Sequence, residues 1–407
     1  MNSKVERVDS ELNLEQRQNK TEPAYWSGIF SMTLCVFALV ASEFMPVSLL
    51  TLISSSLDVT EGMAGQGIAI SGAFAVVTSL FISTLAGNVN RKTLLLVLTG
   101  MMGLSGAIIG IAPNYTIYMV GRAIIGAVIG GFWSMSAATA MRLVPENKVS
   151  RALAIFNSGN ALAMVIAAPL GAYLGTLIGW RGAFLALIPV SIIALVWQWL
   201  SLPSMPVEKR TMNLRSVFSI FYLFRRPVVV VGMIAVGIFF MGQFSLYTYI
   251  RPYLENVTHT DPTTLSMTLM IMGVTGFIGT TIINNPLKHG FYTTLVTIPL
   301  IMAAISISLV MWGHLEGLVI ALLAIWGFVA TSAPVGWWAW VPKTFPNSAE
   351  AGGGLMVAVV QLSIALGSTV GGILYDVSGY ESTFLSSAIL LLIAAAMTLL
   401  TARMTVK

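Results

Sequence analysis

Twelve predominantly apolar runs divide the chain, near residues 26–52, 63–86, 93–112, 116–141, 152–178, 182–202, 228–254, 264–285, 291–312, 317–341, 352–375 and 382–402. About 20 such residues, rising ~1.5 Å each, cross the roughly 30 Å hydrocarbon core of a bilayer. Inside hydrocarbon every backbone N–H and C=O must be satisfied within the protein, so a run of this length spans as a helix. The runs predict an all-α membrane protein with twelve spans, numbered 1–12 below. Composition agrees. Only 9% of the 407 residues are charged, against about 25% in a soluble domain. Too few charges remain to cover a water-facing surface of this size, and lipid must cover most of it.

The same residues exclude several functions. The net charge of +5 is scattered between apolar runs, not gathered into the basic patch that nucleic acid requires. Cys35 is the only cysteine, so no intramolecular disulfide forms. No spacing of His, Cys and acidic residues suggests a metal, no G-x-x-x-x-G-K-[ST] loop offers nucleotide hydrolysis, and no cofactor is expected. Residues 1–24 are hydrophilic, without the short apolar region and cleavage site of a signal peptide. Span 1 should act as its own insertion signal.

Lysine and arginine collect in cytoplasmic loops. With both termini inside, 18 of the 21 basic residues fall on the cytoplasmic side, the exceptions being Arg122, Arg181 and Arg251. The longest break separates two halves of similar length. The expected organisation is a tail (1–25), a six-helix bundle (26–202), a cytoplasmic linker (203–227), a second six-helix bundle (228–402) and a short tail (403–407). Residues 214–224 of the linker could lie flat on the membrane as an amphipathic segment.

The halves resemble one another. "SEFMPVSLL" in span 1 matches "YTYIRPYL" in span 7, placing Pro46 opposite Pro252 and Glu43 opposite Tyr249. "GWRGAFL" before span 6 matches "GYESTFL" before span 12, and spans 5 and 11 align with Asn160 opposite Gln361. Three matches in one order, at offsets of 200 to 206 residues, predict two pseudo-symmetric bundles related by an axis along the membrane normal.

These segments resemble the major facilitator superfamily, in its twelve-span drug:proton antiporter branch. "GRAIIGAVIGG" in span 4 is similar to that superfamily's R-x-x-q-G motif through Arg122 and Gly126. "GNALAMVIAAPLGAYLG" in span 5 resembles the antiporter motif, with Ala168 in place of a glycine before Pro169, and Gly171 after it. The motif after span 2 is degraded: "STLAGNVNRK" keeps Leu85, Ala86, Arg91 and Lys92, while Gly87 stands where an aspartate belongs. Within the branch, "EFMPVSLL", "GGFWSMSAATAMRLVP", "YTYIRP" and "PVGWWAWV" are most similar to the bacterial purine ribonucleoside efflux pumps and their sugar-efflux relatives. The resemblance implies a monomeric transporter of the bacterial inner membrane that exports a small polar solute in exchange for protons.

Glu43 and Arg122 are the only charged side chains well inside the spans. A charge at such depth costs about 2.5–3.5 kcal/mol on insertion scales and marks a functional candidate. Both fall in the outer half at similar depth, so a pair between them is expected, either static or dependent on the transport state. Glu43 is the candidate proton carrier. Trp133 lies 11 residues after Arg122, about three helical turns, with Gly126 and Gly130 between them to admit a neighbouring helix or a solute. Asn157 and Asn160 share a face of span 5, Gln243 and Tyr247 form an i, i+4 pair in span 7, and Gln361 lies in span 11. Interhelical hydrogen bonding accounts for any one of these polar groups. Together, on faces that the family fold turns inward, they suit an uncharged nucleoside or sugar better than an anion. In "GWWAW", Trp338 and Trp340 are expected in an interfacial aromatic belt.

Three classes of function compete. An intramembrane enzyme needs a catalytic pair such as Ser/His or two aspartates within spans, and the sequence has none. A sensor or channel needs an output domain or repeated pore-lining elements, and the loops are too short for the former. A secondary transporter accounts for the repeat, the sparse intramembrane charge and the missing nucleotide site. Nucleosides are the first solute class, then sugars, then hydrophobic drugs.

Overall fold

The computed structural model describes residues 24–85, 89–206, 226–345 and 349–405. The N-terminal tail through residue 23, the amphipathic segment at 214–224, and Ala86 and Gly87 of the degraded motif lie outside these residues. All regular structure among the described residues is helical. Spans 1–4 are α1 (Trp26–Leu57), α2 (Glu61–Leu85), α3 (Arg91–Gly110) and α4 (Tyr115–Arg142). A single 3₁₀ turn leads into α5 (Val149–Leu185), which with α6 (Leu187–Ser201) makes spans 5 and 6. Span 7 is α7 (Pro227–Tyr247) with the short α8 (Ile250–Asn256), and span 8 is α9 (Pro262–Ile282), followed by α10 (Asn284–His289). Spans 9 and 10 are α11 (Phe291–Trp312) and α12 (Glu316–Thr344), and α13 (Ala349–Thr405) holds spans 11 and 12.

Twelve spans thus come from fewer continuous helices, because two pairs reverse without a loop. The backbone at Gly179 and Gly379 turns to φ +72° and +77°, a region glycine enters without a Cβ penalty. Before Gly179 the chain runs alongside span 1, with Gly171 against Ser48 and Gly175 against Leu49 and Leu52. After it, the chain runs back along span 3, with Phe184 at Gly106 and Ser191 at Gly103. Gly179 and Gly379 are 200 residues apart, at the first residue of the matched "GWRGAFL" and "GYESTFL" segments. Elsewhere the breaks carry ordinary helix starts. Asn114 accepts from the Ile117 N–H at 3.0 Å, and Asp261 accepts from Thr263 and Thr264, with Pro262 following it. Each side chain fills a backbone donor left free by the first turn.

Parallel spans approach closely through glycine in each half. A Cβ on Gly126 would come within 2.7 Å of the Ser71 Cα, and one on Gly130 within 2.9 Å of the Ala75 Cα. Spans 2 and 4 are thereby locked together. Spans 8 and 10 repeat the device, with Gly327 against Met272. The bundles meet where span 2 faces span 11, with Gly72 against the Gln361 carbonyl, and where span 5 faces span 8, with Gly273 against Val165.

Both described ends of the chain lie at one end of the bundles. Among the described residues, the side-chain hydrogen bonds between bundles lie from the middle to the opposite end. There, Arg251 of span 7 donates to the Thr51 hydroxyl at 2.8 Å and to the Ser48 carbonyl. Asp376 of span 11 accepts from Thr60 Oγ1 at 2.6 Å and from the Gly62 N–H at 2.9 Å, at the start of span 2.

Candidate functional site

Arg122 is fully buried, and its surroundings explain how. Pro46 lies inside span 1 and has no N–H to offer the Ser42 carbonyl four residues earlier. Arg122 Nη1 takes that place, donating to Ser42 O at 2.8 Å. Nη2 donates to the Glu43 carbonyl and to Ser71 Oγ, both at 3.0 Å, and Nε donates to Gly67 O at 2.9 Å. One guanidinium joins spans 1, 2 and 4. The expected ion pair is not formed: Arg122 meets the main chain of Glu43, and the only salt bridge among the described residues is Arg251–Glu255 at 2.8 Å. A side chain committed to three carbonyls and a hydroxyl has little left for a carboxylate in this arrangement.

Glu43 looks the other way, toward the second bundle. Its side chain is 5% exposed, and its Oε1 accepts from Gln361 Nε2 of span 11 at 3.2 Å. Gln361 Oε1 is buried with no partner among the described residues. The acid and the amide therefore bridge the bundles near mid-depth, beside the contact at Gly72.

A second polar locus lies next to them. Phe44, Met164 and Ala168 of the first bundle and Gln243, Phe244, Tyr247, Trp326 and Thr331 of the second enclose part of a cavity of about 50 Å³. Phe44 and Phe244 stack across the bundle boundary with centroids 5.7 Å apart. The space holds only a few waters, so a larger solute enters only with movement of the walls. No lining side chain is a carboxylate, lysine or arginine.

The structure thus gathers Gln243 and Tyr247 in one cavity and sets Gln361 against Glu43. It keeps Trp133, Asn157 and Asn160 off the lining of that cavity. Trp133 is half-buried, edge-on to Phe156 with centroids 6.2 Å apart, so it packs within the first bundle. Asn157 is exposed and donates to Leu153 O of its own helix at 2.9 Å; Asn160 is half-buried. Gly126 and Gly130 serve helix packing and leave no room there for a solute. In span 5, Pro169 has no N–H for the Val165 carbonyl, and span 8 approaches that turn through Gly273. Gly171 gives the Ser48 and Met45 side chains room, so the Gly/Pro motif shapes both faces of span 5.

One further expectation is corrected. Trp340 is fully buried and donates to Tyr292 OH at 3.2 Å, so it is a core residue; Trp338, 45% exposed, is the one placed as a belt residue would be. Arg181 and Arg251, the other exceptions to the charge bias, both donate to backbone carbonyls as Arg122 does, at Ala112 and Ser48. Sequence reasoning passed over Phe44, Phe244, Trp326 and Thr331 because apolar and hydroxyl residues in a membrane helix carry no individual signal.

Comparisons with known proteins agree with this architecture. The model of the Major Facilitator Superfamily matches residues 32–356. The chain is 62% identical over 386 residues to the "Transcription regulatory protein OpdE" of Pseudomonas aeruginosa, covering 95% of this chain and 96% of that one. It is 36% identical over 370 residues to the "Purine ribonucleoside efflux pump NepI" of Salmonella typhimurium, covering 91% and 92%. Among solved structures, a D-xylose-proton symporter superposes with a TM-score of 0.73 at 16% identity, covering 92% of this chain and 96% of that one. A bacterial homologue of the lysosomal transporter Spinster, inward-facing and unoccupied, gives 0.73 at 14% identity, covering 94% and 98%. Twelve spans in two pseudo-symmetric bundles, a family match over most of the chain and relatives matched over nearly their full length lead to one conclusion: the chain is a membrane transporter belonging to the Major Facilitator Superfamily.

Proposed function

We propose that this transporter is a proton-coupled antiporter that exports a small uncharged polar solute, purine ribonucleosides first and sugars or drugs second. The observation that carries the reading is the Glu43 carboxyl, buried between the bundles and bonded across them to Gln361 at 3.2 Å with no cation on it. Ionised, the carboxylate accepts from the amide N–H. Protonated, it gains an O–H to donate toward the amide oxygen that otherwise lacks a partner. A proton arriving at Glu43 therefore changes a bond that ties one bundle to the other, which is what coupling to alternating access requires. The purine ribonucleoside assignment is taken from the relative named for that activity.

With the positive-inside bias, both termini are cytoplasmic in a bacterial inner membrane. The end at which Arg251 and Asp376 bond across the bundles is then periplasmic. Arg122 holds spans 1, 2 and 4 together so that Glu43 keeps its aim as the bundles move.

The test is uptake of a labelled purine ribonucleoside into everted membrane vesicles, with and without a pH gradient. Uptake should follow the gradient and collapse with a protonophore. Glu43→Gln should lose accumulation while keeping solute binding, because the amide cannot cycle a proton. Moving one charge through 100 mV supplies about 2.3 kcal/mol, enough for a roughly fifty-fold ratio of a neutral solute. Accumulation by Glu43→Gln equal to the parent would remove Glu43 from the coupling.

A second reading follows from the relative named a transcription regulatory protein. The described residues are membrane helices, so a regulatory effect would act through the level of a transported effector. A transcriptional phenotype retained by a transport-dead Glu43→Gln protein would favour a sensor instead.

A further inference from the structure

Span 2 meets the second bundle at its very first turn, and that turn is capped from across the boundary. α2 begins at Glu61, directly after Thr60. The Thr60 hydroxyl accepts from the Met63 N–H at 3.1 Å and donates to Asp376 Oδ2 of span 11 at 2.6 Å. The Gly62 N–H donates to Asp376 Oδ1 at 2.9 Å. The first turn of a helix leaves its N–H groups without partners along the helix. Spans 4 and 8 satisfy theirs from the adjoining Asn114 and Asp261. Span 2 takes a carboxylate from the other half of the protein.

Glycines on the same face bring the two bundles into contact. A Cβ on Gly62 would lie 2.5 Å from the Gly372 carbonyl oxygen and 2.6 Å from Asp376 Cγ. One on Gly65 would lie 2.9 Å from Tyr249 Cζ, and one on Gly72 would lie 2.8 Å from the Gln361 carbonyl oxygen. The nearest atoms to all three positions belong to the second bundle. Gly126 and Gly130 differ, because Ser71 and Ala75 lie in their own bundle. Further along the seam, Thr369 donates to Gln66 Oε1 at 3.0 Å. A methyl group at 62 or 65 therefore strikes only the partner bundle and leaves the packing inside its own bundle untouched.

We infer that the first turn of span 2 is a latch, closed when Asp376 of span 11 completes its cap and released when the bundles part at this end. Alternating access requires the bundles to part here in one half of the cycle. Thr60 and Gly62 then exchange a fixed carboxylate for water, and Gly62 and Gly65 leave a surface that only glycine admits. The latch biases the transporter toward the arrangement seen here, whatever solute it carries. Arg251 ties span 7 to span 1 at the same end, whereas the latch ties span 11 to span 2.

The experiment is pulsed EPR on the full-length protein in nanodiscs, in a Cys35→Ser background. Nitroxides go at Ser55 of span 1 and His314 before span 10, exposed positions at this end of the two bundles. Gly62→Ala should raise the ratio of parted to closed distances about tenfold, the effect of a methyl forced into a packed contact. Asp376→Ala should raise it about two- to threefold, since water partly replaces an exposed cap. In the Gly62→Ala background, Asp376→Ala should add nothing, because a parted latch has no cap to lose. Gly110→Ala is the control: its Cβ would meet Leu185 Cγ at 2.5 Å within the first bundle, and the distances should stay in place. Parent distances in folded Gly62→Ala overturn the latch, as does a full Asp376→Ala shift in both backgrounds. A shift in Gly110→Ala as large as in Gly62→Ala overturns it too. Should Gly62→Ala fail to fold, Gly65→Ala carries the same expectation, and an unchanged ratio in Asp376→Ala alone overturns the cap across the boundary.

Discussion

The bond between Arg122 and span 1 can be tested by returning to Ser42 the partner that Pro46 withholds. Arg122→Met removes four hydrogen bonds from a fully buried side chain. Bonds to a charged group contribute about 1.5–3 kcal/mol each, but their sum overstates the loss. Removing the cation also removes the desolvation it suffers. Of the three carbonyls it serves, those of Gly67 and Glu43 can still accept from the helix N–H groups of Ser71 and Val47. Only the Ser42 carbonyl faces a proline. Its unpaired burial, about 1–3 kcal/mol, is the part of the loss assigned to one atom.

Pro46→Ala supplies an N–H at the position that continues the helix ladder to Ser42. Alone it makes the Ser42 bond to Arg122 redundant. Combined with Arg122→Met, it should restore most of the cost of the orphaned carbonyl. The double variant should therefore be more stable than the sum of the single effects by about 1–3 kcal/mol. The assay is equilibrium or thermal unfolding of the four purified proteins in one detergent, read as a double-mutant cycle. Additivity within about 0.5 kcal/mol would refute the reasoning that Arg122 is placed by the proline gap.

Arg251→Ala removes the buried donor that holds span 7 to Ser48 and Thr51. It should raise several-fold the maleimide labelling of a cysteine at Ile68, which is 1% exposed and packed into the second bundle's core; Cys35, buried itself, contributes little background. Asp376→Ala should have a smaller effect, since Asp376 is exposed and water replaces its bonds to Thr60 and Gly62. Gln361→Ala should shift the pH dependence of vesicle uptake as well as its affinity, because Gln361 touches Glu43, the proposed proton carrier, whereas Asn160→Ala should leave the pH profile in place. At the start of span 8, hydrogen bonds from Thr264 and Thr263 hold the Asp261 carboxylate below its usual range. Its capping contribution is present above the ordinary carboxylate pKa and is lost as pH falls through the lowered one. Hydrogen exchange at the Thr263 and Thr264 amides should accelerate only in that acid window.

Length and hydropathy made the helices legible, since a bilayer leaves few alternatives for a 20-residue apolar run. The two loopless reversals were harder to see, because Gly179 and Gly379 resemble any packing glycine until their φ is known. The site was legible only in its charged members. Glu43 and Arg122 announce themselves by cost, yet their partners do not. A carboxylate and a guanidinium at equal depth suggest an ion pair, and sequence cannot reveal that the Ser42 carbonyl, left unpaired by a proline one turn on, takes the guanidinium instead. Trp133 and Asn157 show the same limit. Helical spacing put them on shared faces, but the direction of a face is set by neighbouring helices. Gly62 and Asp376 needed the structure, because only the folded seam shows which helix a glycine faces and which bundle supplies a cap.

The repeat explains where the machinery can differ between halves. Pro46 and Pro252 are matched positions, and each withdraws an N–H from the carbonyl four residues before it. In span 1, Arg122 replaces that bond, and α1 runs unbroken from Trp26 to Leu57. In span 7, no arginine arrives, and the helix breaks between α7 and α8 at Thr248 and Tyr249. The same asymmetry separates Glu43 from its counterpart Tyr249, whose hydroxyl donates to Ser368 O at 2.8 Å within its own bundle. One half thus carries an uncharged ring at its repeat position, packed across the boundary against Gly65 of span 2. The other keeps a rigid span with an acid aimed across the boundary at Gln361. If Glu43 is the proton carrier proposed above, a proton taken up in a span tied to spans 2 and 4 by Arg122 acts first on the Glu43–Gln361 bond, one of those that cross between the bundles.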